Sequence, residues 1–364
     1  MTYVGGHKTH PYNRKFFMKK ILPLLILFVL AGAGCSAAPK ANKADGGILK
    51  TVDAGKIWSQ SSLVPTAKGI GTLATANIIT MEMDPQDKNV LYVGTREDGF
   101  LYSDDAGVSW RQPRDKALST GFIPSIKMDP KNVCTVYVAK GPRLYKTIDC
   151  MRTFQNDAYI ESREKVSVVK VAVDWFNPQT VWIGLSNGDI QKSLDGGKTW
   201  SNVLHVKDVI TDILINQSDS RMVLVSTSLK GMMKTGDGGA TWEAAELKGM
   251  AGATTVYDLI QSKNSQTVIA ATKYGLIRST SFGAVWEPIK LVTAPGQVNI
   301  QAVGMDVSNP DVLYYATTAT FYKSQDGGAT WQTGKLPSNR LPRAILVDPS
   351  LNTVLYIGVA TEAK

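Results

Sequence analysis

Residues 192–200 read KSLDGGKTW, residues 234–242 read KTGDGGATW, and residues 323–331 read KSQDGGATW. One nine-residue phrase therefore returns three times. Relaxing it to Ser/Thr, any, Asp, any, Gly, any, any, aromatic adds KTVDAGKIW, ending at Trp58, and YSDDAGVSW, ending at Trp110. It also adds KTIDCMRTF, ending at Phe154 with Met151 in place of Gly, and RSTSFGAVW, ending at Trp286 with Ser281 in place of Asp. The closing aromatics Trp58, Trp110, Phe154, Trp200, Trp242, Trp286 and Trp331 follow one another at steps of 42 to 52 residues. A near-constant period in the forties suits a unit of four short strands, which is a propeller blade.

The text between the phrases agrees. Residues 77–110 read as strand A over 78–83, a DPxxxN turn, strand B over 90–94, a Gly-containing turn, strand C over 100–103, the phrase, then strand D. Alternating β-branched and aromatic residues bounded by Asp, Pro and Gly turns are strand signals. The two ends of the chain complete each other. Residues 343–360 hold strands A and B without a phrase, and residues 48–60 hold strands C and D alone. Joined, they make one blade and close the ring, leaving no open sheet edge. The expected fold is an all-β, seven-bladed propeller of four-stranded antiparallel blades over residues 47–361.

Within each phrase, the carboxylates of Asp53, Asp105, Asp149, Asp195, Asp237 and Asp326 are placed to accept backbone N–H groups of their own tight turn. The glycine permits positive φ. The aromatic opens strand D and packs between blades, worth roughly 4–6 kcal/mol at most when buried. The phrase is thus read as a folding device. One or two carboxylates per unit on separate blades do not make a metal site, and no cofactor motif is present.

The phrase resembles the Asp-box, or BNR repeat, of sialidases, tandem-propeller endoglucanases, sortilin-type receptors and the photosystem II assembly and stability factors. That resemblance covers almost the whole of 47–361. It implies that the boxes lie on the face opposite the ligand or active site. A single seven-bladed propeller behind a lipoprotein-type leader most resembles the photosystem II assembly factors. That implies a non-catalytic extracytoplasmic scaffold that holds membrane-protein precursors.

The leader is MKKILPLLILFVLAGAGC, residues 18–35. A basic start, an apolar run too short to span a bilayer and small residues before Cys35 describe a secretory signal. They resemble a lipoprotein cleavage box, although Gly32 stands where an aliphatic is usual. The expectation is a signal over residues 1–34, with Met18 the candidate start. A lipidated Cys35 and tether would span 35–46 and hold the protein on the extracytoplasmic side of a membrane. Removing residues 1–34 lowers the net charge from +9 to +4, a weak case for nucleic acid as a partner.

A sialidase-like site requires an arginine set opened by a Phe/Tyr-Arg-Ile-Pro stretch. The nearest lookalike, residues 122–124, reads FIP without the arginine. Tyr274 has no evident Glu partner in sequence. Asp98, Asp189 and Glu97 offer carboxylates for a glycan hydrolase but read as turn residues. The leader removed, His205 is the only histidine left, which disfavours a His-based triad or zinc site. No catalytic residue is assigned. In a propeller, the B–C turns and D–A connections share the face away from the boxes, and their charges lean positive. Arg96, Arg143, Lys273 and Arg343 are the candidate contacts to a membrane protein or acidic protein segment, with a glycan as the alternative ligand. In an oxidising compartment, Cys134 and Cys150 are expected to form a disulfide across a hairpin turning at Gly141-Pro142-Arg143.

Overall fold

The computed structural model describes Met1, residues 44–263 and residues 265–362. Cys35 and the signal segment lie outside the described residues. Seven antiparallel blades follow in chain order, spanning 78–111, 125–160, 168–205, 210–244, 256–288, 303–335, and 341–360 with 47–60. The inner strand of the first blade covers Ile78–Met83 and its third strand Phe100–Ser103, the ranges read from sequence. Its outer edge is a single bridge between Tyr102 and Arg111.

The last blade is composite. Strand Gly47–Thr51 lies between Ser59–Gln60 and Leu355–Ala360, and Leu341–Val347 is innermost. The five pairs from Gly47↔Val359 to Thr51↔Leu355 join the two ends of the chain by a full strand ladder. Arg340 reinforces the seam. Its Nε donates to Asp45 at 3.1 Å and one terminal nitrogen to the Thr75 carbonyl at 2.9 Å. An extra hairpin, Leu63–Thr66 with Gly69–Thr72, was not expected. It is short and mostly exposed, and it lies between the composite blade and the first.

Hydrophobic packing runs between blades rather than within them. Ile48 and Tyr356 of the composite blade share a buried cluster with Ile78, Leu91, Val93 and Trp110 of the first. The boxes deliver these wedges. Trp58 meets Phe321 edge-on at 5.1 Å, Trp200 meets Tyr159 at 5.5 Å, and Trp242 meets Trp182 at 6.3 Å, each on the preceding blade. The box hydrogen bonds follow the expected scheme. Asp195 Oδ1 accepts the N–H groups of Lys198 and Thr199 at 3.0 and 2.9 Å, and Oδ2 accepts the Thr199 hydroxyl at 2.6 Å. Where Ser281 replaces the Asp, its Oγ accepts the Val285 N–H at 3.1 Å. The substituted box thus keeps one bond of the set.

Two consecutive residues of each box have left-handed backbone. In the last box they are Gly327 and Gly328 (φ 71° and 92°), and a Cβ on Gly328 would lie 2.3 Å from Ile289. In the third box they are Cys150 and Met151 (φ 55° and 65°), so a bulky residue takes the strained position. Met151 packs beside Phe154 in the cluster shared with the preceding blade.

Candidate functional site

The inner strands surround the axis, and their axial side chains line a channel. Ser125, Asp212 and Asp258 each accept an N–H from the inner strand of the next blade, respectively Val171 (3.1 Å), Leu259 (3.2 Å) and Val303 (3.2 Å). Lys127 pairs with Glu82, and Lys170 stands 3.8 Å from Asp212. These charges form a belt at mid-height. Toward the boxes lies a cavity of about 240 Å³ lined by Met83, Met128, Val173 and Ile215. Toward the opposite face the channel widens to about 590 Å³ and forms a funnel.

The electrostatics of the belt follow from enclosure. Burial, with Asp212 alongside, pushes the Asp258 carboxyl up to about 7 against the pull of Lys170. Burial alone would depress the Lys127 ammonium. The carboxylates of Glu82, Asp212 and Asp258 together outweigh it and raise the pKa above the usual lysine value.

One local device shapes the funnel mouth. In five blades the inner strand slips by one residue against its neighbour, between Ile78 and Thr80, Val168 and Lys170, Ile210 and Asp212, Val256 and Asp258, and Pro342 and Ala344. The extra residues are Ile79, Val169, Thr211, Tyr257 and Arg343, and all five line the funnel. A bulge re-aims the side chain it carries. Phe122 and Pro124 of the FIP stretch complete the rim.

Arg343 lies inside the inner strand, which begins at Leu341, two residues before the start read from sequence. Its Nε is buried without a partner, and no protein acceptor among the described residues bonds its guanidinium. Burial, then the charge of Arg96, depresses its pKa below the ordinary arginine value. Arg96 donates to the Thr361 carbonyl at 2.8 Å. Arg143 does not line the funnel. It opens the third strand of its blade, pairs with Lys140 across a two-residue Gly141-Pro142 turn, and donates to Asn156 O at 3.1 Å. The expected three-residue turn is thereby corrected: Arg143 belongs to the ladder. Lys273 is exposed in its B–C turn and is also absent from the funnel wall. Of the four sequence candidates, the structure gathers Arg96 with Arg343. The same hairpin brings Cys134 and Cys150 to a Cα separation of 3.9 Å, and Cys150 N–H donates to Cys134 O at 3.2 Å.

A second network escaped sequence reading. Tyr159 donates its hydroxyl to Glu161 at 2.9 Å, and Arg163 clamps Glu161 through Nε (2.9 Å) and a terminal nitrogen (2.7 Å). Arg163 also donates to Asp189 at 2.6 Å, whose other oxygen lies 2.5 Å from His205 Nδ1. The Arg163 hydrogen bonds hold Glu161 at about 2. Asp189 is also held at about 2, where bonds from Asn187, Arg163 and His205 outweigh its burial. This Tyr–Glu pair has the residue types of a sialidase nucleophile, yet Glu161 is fully engaged by Arg163 and is a poor base. Asp98 stays exposed with a raised pKa, from partial burial and then Glu97. Among the described residues, no three His, Cys, Asp or Glu side chains gather as metal ligands.

The model of the family described as Photosynthesis system II assembly factor YCF48 matches residues 201–336. The chain is a seven-bladed Asp-box propeller that resembles the photosystem II assembly factors. The Photosystem II assembly lipoprotein Ycf48 of Synechococcus sp. (strain CC9902) is 30% identical over 147 residues, 40% of this chain and 41% of that protein. The crystal structure of a GH74 enzyme from Niastella koreensis superposes with a TM-score of 0.63 at 17% identity, covering 86% of this chain and 53% of the other. The structure titled YCF48 bound to D1 peptide gives 0.61 at 16% identity, covering 86% and 100%. The chain thus spans about half of the GH74 enzyme and less than half of the Synechococcus lipoprotein in the matched region. At these identities the two structures bear on the fold alone.

Proposed function

We propose that this Ycf48-like propeller is a non-catalytic binding and assembly scaffold on the extracytoplasmic side of a membrane. A lipid on Cys35 tethers it, and the funnel face grips an extramembrane segment of a membrane protein. The observation that carries the reading is the state of the charged groups on that face. The carboxylates best placed for chemistry, Glu161 and Asp189, are both engaged by Arg163, and Asp189 is also hydrogen-bonded to His205. Arg343, by contrast, keeps donors free beside Arg96. A face whose arginines keep donors free while the Tyr159–Glu161 pair is engaged favours holding an anion.

Affinity capture of the tagged full-length protein from gently solubilised native membranes tests this reading. Discrete membrane polypeptides are expected to co-purify with the wild type and to be lost with Arg96→Glu/Arg343→Glu. Recovery of polysaccharide without polypeptide would replace the scaffold with a glycan ligand. The fold shared with the GH74 enzyme supports that second reading, and release of 4-methylumbelliferone from glucosyl or sialyl reporters would establish it. Replacing Cys35 with Ala is expected to move the protein from the membrane to the soluble fraction.

A further inference from the structure

The five bulge residues at the funnel mouth are Ile79, Val169, Thr211, Tyr257 and Arg343. Four are uncharged and mainly apolar in contact surface. The fifth is a guanidinium with no protein acceptor among the described residues. A buried donor without a partner forfeits its hydration with no return, so a native protein leaves one mainly where a ligand completes it. Gln301 Oε1, on the same wall, is a second buried polar atom without a partner. The neighbouring carboxylates do not fill the gap. Glu82 is held by Lys127, and Asp212 by Lys170 and the Leu259 N–H. Asp258 receives the Val303 N–H, and Glu362, whose charge acts on Arg343 from nearby, forms no hydrogen bond to it.

We infer that the funnel is a recognition site for a carboxylate carried next to an aromatic or branched apolar side chain on an extended peptide segment. The carboxylate takes the Arg343 fork, and the apolar group lies against Ile79, Phe122, Val169 and Tyr257. Planar two-point pairing is what a guanidinium provides and a lysine does not. The Arg96 charge nearby adds attraction for the same anion, and the channel charges below, Lys127 and Lys170 against Glu82 and Asp212, balance when Asp258 is protonated. The carboxylate has two sources, a chain terminus or an Asp/Glu side chain. The inference rests on the scaffold reading and specifies the chemistry of its site.

The test is ligand-observed saturation-transfer NMR on the full chain with 3-phenylpropanoate and its uncharged amide. The acid is expected to bind at least ten-fold more tightly than the amide. Arg343→Gln is expected to abolish that difference, and Arg343→Lys to retain part of it. Arg221→Gln, which removes a charge paired with Asp219 outside the funnel, should leave it intact. N-acetyl-Gly-Phe with a free terminus, against N-acetyl-Phe-Asp-amide, then assigns the source of the carboxylate. Equal binding of acid and amide, no binding of either, or an acid preference that survives Arg343→Gln overturns the inference. Should Arg343→Gln misfold, a shift of the Arg343 Nε–H resonance by the acid and not the amide decides the matter in the wild type. If membrane polypeptides are still captured while carboxylate selectivity fails, the scaffold stands and this inference alone falls.

Discussion

At the scale of single residues, the Asp-box behaves as a turn built around one carboxylate. Asp149 and Asp326 are held at about 2, first by the hydroxyls of Thr153 and Thr330 and then by the backbone N–H groups of the same residues. A carboxyl depressed in the folded state adds stability above its unfolded pKa and loses it as pH falls through the folded value. Unfolding is therefore expected to set in between about pH 4 and pH 2. A pH titration by circular dichroism should show the double variant Asp195→Asn/Asp237→Asn unfolding at a higher pH than wild type. A second residue-scale expectation concerns Gly328. Alanine there combines left-handed strain with a Cβ placed 2.3 Å from Ile289, and should cost roughly 2 kcal/mol or more in urea unfolding. Both features were legible in the repeated phrase, which encodes local geometry within nine residues. The strain at Met151 was visible only as a missing glycine.

At the scale of elements, the seam of the composite blade explains why Gly358 is glycine. A Cβ there would lie 2.5 Å from Ile78 of the first blade. Gly358→Val should lower stability by about 1–3 kcal/mol through overpacking, whereas Gly236→Ala, with open space around it, should change little. Urea midpoints compare the two directly. A Cys134–Cys150 disulfide would close a loop of 16 residues and contribute about 2–3 kcal/mol. Intact mass after alkylation should show no labelled thiol until reductant is added, and two labelled thiols without reductant would remove the bond. Strand order and ring closure were readable because period, turns and chain ends all repeat one pattern. The 63–72 hairpin was not readable, since its strands carry little hydrophobic alternation. The bulges were equally hidden, because a bulge is a relation between two strands and leaves no mark on either alone. Arg343 was accordingly legible by its charge, whereas its place at a bulge was not.

At the scale of the whole molecule, the channel assembles side chains from blades more than a hundred residues apart, which no local pattern reveals. Its clearest consequence is the pKa of Asp258, near 7. An acid whose pKa is raised on folding is uncharged in both states below about pH 4, where it adds no penalty. It opposes folding increasingly as pH rises toward and through 7. Asp258→Asn should therefore raise the melting temperature more at pH 8 than at pH 5, by calorimetry at the two pH values. The central claim, however, concerns which face works. The funnel rim carries Phe122, 47% exposed, and the box face carries Leu194, 66% exposed. A photoreactive benzoylphenylalanine placed at each position in turn, in the lipoprotein irradiated in its native membranes, compares the two faces in one assay. Crosslinks to a membrane polypeptide from position 122 and none from position 194 are the expected result. Crosslinks from position 194 alone would put the partner on the box face and contradict the account.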